Sequence, residues 1–274
     1  MKKIITTLIL ILFFTKTFAC SCEVPKPALE FYSAEYVFEG RAVSKVYASD
    51  SLTYTISFDI LKHYKNGDNP KTLDFTLKSE GEYTGQITSC DWNVEIGENW
   101  LVYARFRKDK LTFGYYCSNS RPIDKRTFSE KEQKVLDNGN SFKLDNYIYF
   151  VENNFNYPQP ITNVDSILKL GKIKKYEKPH SFLRLLIDEN GNLIYVTTNR
   201  GYKLEIDSNF NLPTKFEVSI SKPLTEFQKD AIELVSKITK WEIKRHNESN
   251  IPVTSMRGFN ISFDNETHKW QYKL

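Results

Sequence analysis

Thr53-Tyr54-Thr55-Ile56-Ser57-Phe58-Asp59-Ile60 alternates polar and apolar residues without a break. Successive side chains of a strand point to opposite faces, so this run buries Tyr54, Ile56, Phe58 and Ile60 and wets the residues between them. Leu73, Phe75 and Leu77 alternate with Thr72, Asp74 and Thr76 in the same way. Upstream, Tyr36 to Val46 reads as a further strand, and Gly40 inside it marks a bulge or a sharp barrel bend. Downstream, Asn99 to Arg107 and Lys110 to Tyr116 read as strands joined by a turn at Lys108-Asp109. Strands of this size and number predict a small closed barrel. The segment Pro27 to Ser33, just before them, predicts one or two helical turns.

Beyond residue 119 the pattern changes. Ser129 to Leu136 predicts a helix with Ser129 as its cap and Glu132 three residues on, a capping box. Asp137 to Asn163 is rich in Asn and holds Pro158 and Pro160, which predicts a solvated connector without chemistry of its own. Order returns with a strand over Ser181 to Ile187, a turn at Asp188-Glu189-Asn190-Gly191 and a returning strand over Asn192 to Thr198. Leu224 to Lys240 predicts a helix: Phe227, Ala231, Leu234, Val235 and Ile238 share one face, and Thr225 with Gln228 forms a capping box. A closing strand spans Val253 to Phe263. The C-terminal third is therefore expected to be an α+β domain with one amphipathic helix on an antiparallel sheet.

The first residues read as an export signal. Lys2 and Lys3 precede an apolar run from Ile4 to Phe14, and Thr17-Phe18-Ala19 supplies a cleavage site before Cys20. The run is shorter than the ~20 apolar residues of a comfortable membrane span. Cleavage leaves about 255 residues, enough for two domains of ordinary size. The exported compartment makes disulfides the expected state of the four cysteines, Cys20, Cys22, Cys90 and Cys117, which allow three pairings. A cysteine at the mature N-terminus is also the residue that bacterial lipidation acylates, although Thr17 stands where that signal carries an aliphatic residue. Cys20 is thus left with two fates, a free α-amine or a lipid anchor.

Composition excludes more than it proposes. The net charge of +4 is spread through interleaved Lys and Glu with no basic block, so nucleic acid is not an expected partner. His63, His180, His246 and His268 show no spacing that puts two ligands on one helix face. His63, beside Lys62 and Tyr64, reads as a surface histidine. There is no Gly-rich phosphate loop, no nucleophile elbow and no metalloprotease helix motif. No enzyme and no cofactor are expected.

The cysteines carry the positive signal. Cys20-Ser21-Cys22-Glu23-Val24-Pro25-Lys26-Pro27, then Phe31 and Ala34-Glu35-Tyr36-Val37, resembles the opening of the N-terminal domain of the tissue inhibitors of metalloproteinases, a branch of the netrin-like domains. Ser89-Cys90-Asp91 before Ile96-Gly97-Glu98-Asn99-Trp100, and Tyr116-Cys117-Ser118 after a strand, fall at family-like intervals. The resemblance covers about 100 residues and implies a five-stranded OB-like, netrin-like barrel with disulfides Cys20–Cys90 and Cys22–Cys117. Chain-entropy arguments assign roughly 4–5 kcal/mol to each such loop. It also implies a mechanism. The amine nitrogen and carbonyl oxygen of Cys20 chelate the zinc of a target metalloprotease, and Ser21 enters the substrate pocket beside it. Cys22, Glu23 and Val24 run along the cleft, with Thr88 and Ser89 as the neighbouring ridge. The metal belongs to the target. Tyr32 stands where animal members carry a cysteine, and their cysteine-rich C-terminal subdomain has no counterpart here. The rival reading is a barrel whose terminal cysteines only staple the fold.

A second resemblance covers the C-terminal third. Phe182-Leu183-Arg184-Leu185-Leu186-Ile187-Asp188-Glu189-Asn190-Gly191-Asn192-Leu193, Ile238-Thr239-Lys240-Trp241-Glu242 and Ile251-Pro252-Val253 are similar to the C-terminal domain of TonB proteins, interrupted by Lys203 to Ser221. That implies docking to an envelope protein through an exposed strand edge. The expected organisation is a signal peptide over 1–19, a netrin-like domain over 20–122, a connector over 123–179 and a TonB-like domain over 180–274. The expected location is extracellular or at the periplasmic and outer-membrane surface, membrane-bound only if Cys20 is lipidated.

Overall fold

The computed structural model describes residues 24–85, 87–123, 128–150, 158–247 and 249–274. The signal peptide and the Cys20-Ser21-Cys22-Glu23 segment lie outside them. The protein is mostly β, with 39% strand and 17% helix. It divides into two compact units, and the division is not the simple cut the sequence suggested. The first takes in residues 24–26 and Ala34–Phe128; the second takes in Ser129–Leu274 together with α1 (Pro27–Ser33), the helix expected before the strands.

The first unit is a curled antiparallel half barrel. Its strands are β1 (Tyr36–Tyr47), β2 (Thr53–His63), β3 (Thr72–Lys78), β4 (Asn99–Arg107), β5 (Lys110–Thr112) and β6 (Arg121–Pro122), with a one-turn α2 (Gly81–Thr84) after β3. The hydrogen-bonded order is β3-β2-β1-β4-β5, and β6 pairs with β4. The period-two reading holds along β2, where Tyr54, Ile56 and Phe58 are buried with Phe38, Phe75, Trp100 and Val102. Gly40 sits at a register shift between β1 and β2, as its place in the strand predicted. A Cβ there would lie 2.8 Å from the Phe38 ring and 3.2 Å from the Asp59 carbonyl. The β4–β5 turn has positive φ at both Lys108 and Asp109, the geometry that matches the twist of a two-residue hairpin.

The expected closed barrel is not closed by a hydrogen-bonded ladder among the described residues. β5 stops at Thr112 instead of running to Tyr116. With three residues it is too short to pair along β3. Instead the Phe75 ring of β3 meets the Phe113 ring, just past β5, edge to face at 5.0 Å.

In the second unit, β8 (His180–Ile187) and β9 (Leu193–Thr198) form the expected hairpin. Before them lie α3 (Glu130–Asn138), β7 (Tyr149–Phe150) and α4 (Val164–Leu168). After them come β10 (Tyr202–Ile206), β11 (Pro213–Val218), α5 (Glu226–Val235), β12 (Ser255–Asp264) and β13 (Lys269–Lys273). The main sheet runs β13-β12-β8-β9 with β7 parallel to β12. Leu183, Leu185 and Ile187 face α5 through Phe227, Ala231, Leu234 and Val235. Leu186 and Met256 point the other way, onto Phe216 of the β10–β11 hairpin. Burial on both faces explains why Leu183 to Ile187 is nearly all apolar.

The capping box of Thr225 and Gln228 is present, with both reciprocal hydrogen bonds at 3.0 and 3.2 Å. Ser129 caps α3 by accepting from the Glu132 backbone N–H at 3.2 Å. α5 ends at Val235, five residues short of the expected Lys240, where the Ser236 hydroxyl donates back to the Ile232 carbonyl at 2.7 Å. Ile238 and Trp241 then turn into the core, and the indole N–H of Trp241 donates to the Ile238 carbonyl at 2.8 Å.

The region expected as a connector packs into this unit. Phe142 stacks on Tyr147 at 4.9 Å and meets Phe210 edge to face. The Phe31 ring of α1 lies so close to Gly139 that a Cβ there would be 2.5 Å from it. The abundant Asn residues include helix-end partners: Asn163 caps α4, and Asn138 donates to the Lys134 carbonyl.

One polar cluster fastens the residues after α4 to α5. Buried Asp230 accepts from Lys172 at 2.9 Å and Tyr176 at 2.8 Å and pairs with Lys174 at 2.8 Å. Burial alone pushes its carboxyl upward, but the hydrogen bonds from Lys174, Lys172 and Tyr176 outweigh that and hold it down at about 2. A depressed folded-state pKa stabilises above the unfolded value and is lost as pH falls through it, so this contribution fades from about pH 4 towards pH 2. Asp230→Asn is expected to cost about 2 kcal/mol at pH 7 and to flatten the acid limb between those values. Urea unfolding at pH 7 and pH 3 checks this; a loss of equal size at both would show that the charge is not responsible.

Candidate functional site: a cystine-anchored ridge

The predicted ridge residues fall into two groups. Cys20, Ser21, Cys22 and Glu23 lie outside the described residues, so their arrangement, and with it the proposed Cys20 chelate, rests on the resemblance alone. Val24, Thr88, Ser89, Cys90 and Cys117 are described. Cys90 and Cys117 are both disulfide-bonded, and no cysteine among the described residues is free.

Thr88 and Ser89 stand on the exposed loop between α2 and β4. Side-chain hydrogen bonds give that loop its shape. Thr88 donates its backbone N–H to one Asp91 carboxylate oxygen at 3.2 Å and its hydroxyl to the other at 2.9 Å. The Thr88 hydroxyl oxygen in turn accepts from the Cys90 backbone N–H at 3.2 Å. Short Thr and Asp side chains that bind their own backbone in this way hold a turn without help from a ladder. The loop is also drawn back on its own start. A Cβ on Gly81 would fall 2.5 Å from Asp91 Oδ2 and 2.7 Å from Ile87 Cα, so only glycine permits this approach.

A second segment, Tyr116 to Ser120, supports both flanks. The Tyr116 hydroxyl donates to the Asp91 carbonyl at 3.2 Å. The Asn119 amide donates to the Pro25 carbonyl at 2.9 Å. Ser120, 1% exposed, accepts from the Tyr103 backbone N–H of β4 at 2.9 Å and fixes the segment to the sheet. The residues leading out of Cys22 and the loop carrying Cys90 are therefore both tied to the residues around Cys117.

Val24 is 45% exposed and Ile87 84%, and Thr88 and Ser89 are exposed after Ile87. Sequence reading singled out Thr88 and Ser89 but missed the parts played by Gly81, Asp91 and Tyr116, which shape their loop, and by Asn119, which holds Pro25. The Thr88-x-x-Asp91 spacing was the available signal for the turn.

The histidines are dispersed. His63 is half-buried rather than on the surface, with Nε2 2.9 Å from the Pro70 carbonyl. His246 meets the Tyr32 ring in the second unit, and His180 starts β8. Among the described residues no group of three or more His, Cys, Asp or Glu side chains is placed to hold a metal ion, and no helix is long and apolar enough to cross a membrane. No protein-family model and no curated protein matches the chain.

Proposed function

We propose that the mature chain is an exported inhibitor of zinc metalloproteases that binds through its N-terminal cysteine. Cys20 chelates the target's zinc through its amine nitrogen and carbonyl oxygen. Ser21 occupies the neighbouring pocket, Cys22, Glu23 and Val24 follow the cleft, and Thr88 and Ser89 form the adjoining ridge. The observation that carries this reading is the shared anchorage of Pro25 and Asp91 on the Tyr116–Asn119 segment, with Cys90 and Cys117 both in disulfides. A terminus pinned this way loses little entropy on binding. Pairings Cys20–Cys90 and Cys22–Cys117 complete the anchorage. The strand order supports a netrin-like, OB-type assignment of the first unit. Reading along β3-β2-β1-β4-β5 and then back to β3 through Phe113 and Phe75 gives the circuit of a partly open five-stranded Greek-key barrel.

N-terminal mass analysis combined with non-reducing peptide mapping tests the chemistry. The expected result is a free amine at Cys20, with Cys20 linked to Cys90 and Cys22 to Cys117. A diacylglyceryl mass on Cys20, or a Cys20–Cys22 link, would overturn the mechanism, because neither leaves the proposed terminus.

The second unit supports another reading, an envelope scaffold lipoprotein with a TonB-like docking domain and no inhibitory activity. The observation that favours it is β9, which ends the main sheet and leaves Ile194 46% exposed. A lipid on Cys20 is the result that selects this alternative.

A further inference from the structure

An open cleft of about 550 Å³ lies in the first unit, walled by Lys45 and Tyr47 of β1, by Glu80, Glu82 and Tyr83, and by Asn93, Glu95 and Ile96. Its floor is a closed polar circuit. Lys45, with its side chain only 8% exposed, donates to Glu80 at 2.9 Å and lies 4.6 Å from the centre of the Tyr54 ring. Glu80 also accepts from Asn93 at 2.7 Å and from the Tyr47 hydroxyl at 3.2 Å. Burial works against charge on both partners, yet their mutual hydrogen bond raises the Lys45 pKa and lowers that of Glu80. The Lys45 ammonium also lies 3.6 Å from Glu95 Oε1, so it bridges the floor to the rim.

The rim is different. Glu95, 59% exposed at its side chain, meets Lys45 at 3.6 Å and Asn93 at 2.6 Å through the same oxygen, Oε1, and exposed Glu82 is hydrogen-bonded to Tyr83. Lys45 cancels one of the three carboxylates, so the cleft keeps two negative charges. The Tyr47 and Tyr83 rings on the same lining stand 4.8 Å apart at 39°; Lys45 lies 5.4 Å from the Tyr47 ring centre, while Tyr83 is 45% exposed and Ile96 60%. A compact divalent cation does not suit this floor, because the Lys45 ammonium already sits among the inner oxygens. A flat, weakly hydrated cation does suit the rim. It can lay a face on the tyrosine rings and direct N–H groups to Glu82 and Glu95.

We infer that this cleft is a receptor for the guanidinium group of an arginine side chain on a polypeptide partner. Arginine satisfies both halves of the rim, aromatic and acidic, whereas a lysine ammonium holds its water more tightly and cannot stack. The inference is independent of zinc chelation, since none of its residues belongs to the terminus or the ridge.

The test is an NMR titration of the full mature chain with Nα-acetyl-arginine amide, beside its neutral isostere Nα-acetyl-citrulline amide and the lysine analogue. The arginine probe is expected to give saturable shifts confined to Tyr47, Tyr83, Asn93 and Ile96, with citrulline giving none. Glu82→Gln with Glu95→Gln, both at exposed positions, should weaken the probe by about tenfold while leaving the rest of the spectrum unchanged. Tyr83→Leu should weaken it by about threefold. Saturation by citrulline at equal affinity, equal binding of lysine, or unaltered affinity in the double variant would overturn the assignment. So would the absence of any saturable shift.

Discussion

Placing one alanine before Cys20 in the mature protein is expected to abolish zinc-protease inhibition while leaving the fold intact. The extension converts the Cys20 amine into an amide, whose nitrogen lone pair is delocalised into the carbonyl and no longer donates to a metal. It also pushes an extra residue into the place the zinc must occupy. Losing one arm of a chelate in a site of this kind should weaken inhibition on the order of a thousandfold, about 4 kcal/mol. A second signature comes from the proton. A free α-amine titrates near pH 8, and only its neutral form coordinates, so inhibition should weaken as pH falls below that value. The extended protein should lose this pH dependence together with its potency. Inhibition constants against a zinc endopeptidase over pH 6 to 9, with mapping of the Cys90 and Cys117 disulfides as the fold control, provide the measurement. Potency retained within a few-fold in the extended protein would exclude terminal chelation.

What could be read from the sequence depended on whether a signal was local. Thr53 to Ile60 declares its strand because one face carries buried Tyr54, Ile56 and Phe58 and half-buried Ile60, and Thr225 with Gln228 declares its helix start because the partners are three residues apart. β5 was overextended because Phe113 to Tyr116 is as aromatic as a strand. In the structure those rings turn into the barrel core or onto the ridge loop instead. Asp137 to Asn163 looked like a solvated connector because it is rich in Asn and holds Pro158 and Pro160. Leu136, Phe142, Leu144 and Tyr147 are buried and carry the packing, while Asn163 caps α4 and Asn138 binds the last turn of α3. The β10–β11 hairpin was visible only as an interruption, since the face it covers, Leu186 and Met256, is defined by strands far away in sequence.

The functional features divide along the same line. Cys20, Cys22, Cys90 and Cys117 are recognisable by order and interval, and Thr88-x-x-Asp91 by its spacing. The cleft at Lys45 could not be read, because its walls come from three separated stretches, and Lys45 in an alternating strand reads as a solvent-facing residue. Only the structure brings Glu80, Asn93 and Tyr54 around it. Likewise, α1 follows the terminal cysteines immediately in sequence yet is counted with the second unit, because Phe31 needs the gap left by Gly139.

Phe75→Ala should be the most destabilising single change in the first unit. Phe75 is fully buried and touches three other phenylalanines: Phe113 edge to face at 5.0 Å, Phe58 edge to face at 5.9 Å and Phe38 stacked at 6.2 Å. Truncating a buried Phe costs about 3–5 kcal/mol through lost transfer energy and the cavity left behind. That is a large share of the 5–15 kcal/mol by which ordinary domains are stable. The position has a further consequence in this fold. β3 and β5 are the two ends of the strand path, so the Phe75–Phe113 contact does the closing that a ladder does in a sealed barrel. The amides of Leu73 to Leu77 and of Leu111 and Thr112 should therefore exchange faster in Phe75→Ala than the central β1–β2 amides. Phe75→Leu, which keeps most of the volume, should cost roughly 1–2 kcal/mol and leave the exchange pattern near that of the parent. Urea unfolding gives the stability change and hydrogen exchange gives its location. If β1 and β2 open as much as β3 and β5, Phe75 is general core and the half barrel is closed by something else. If the two ends open first, two rings hold this sheet in its curl.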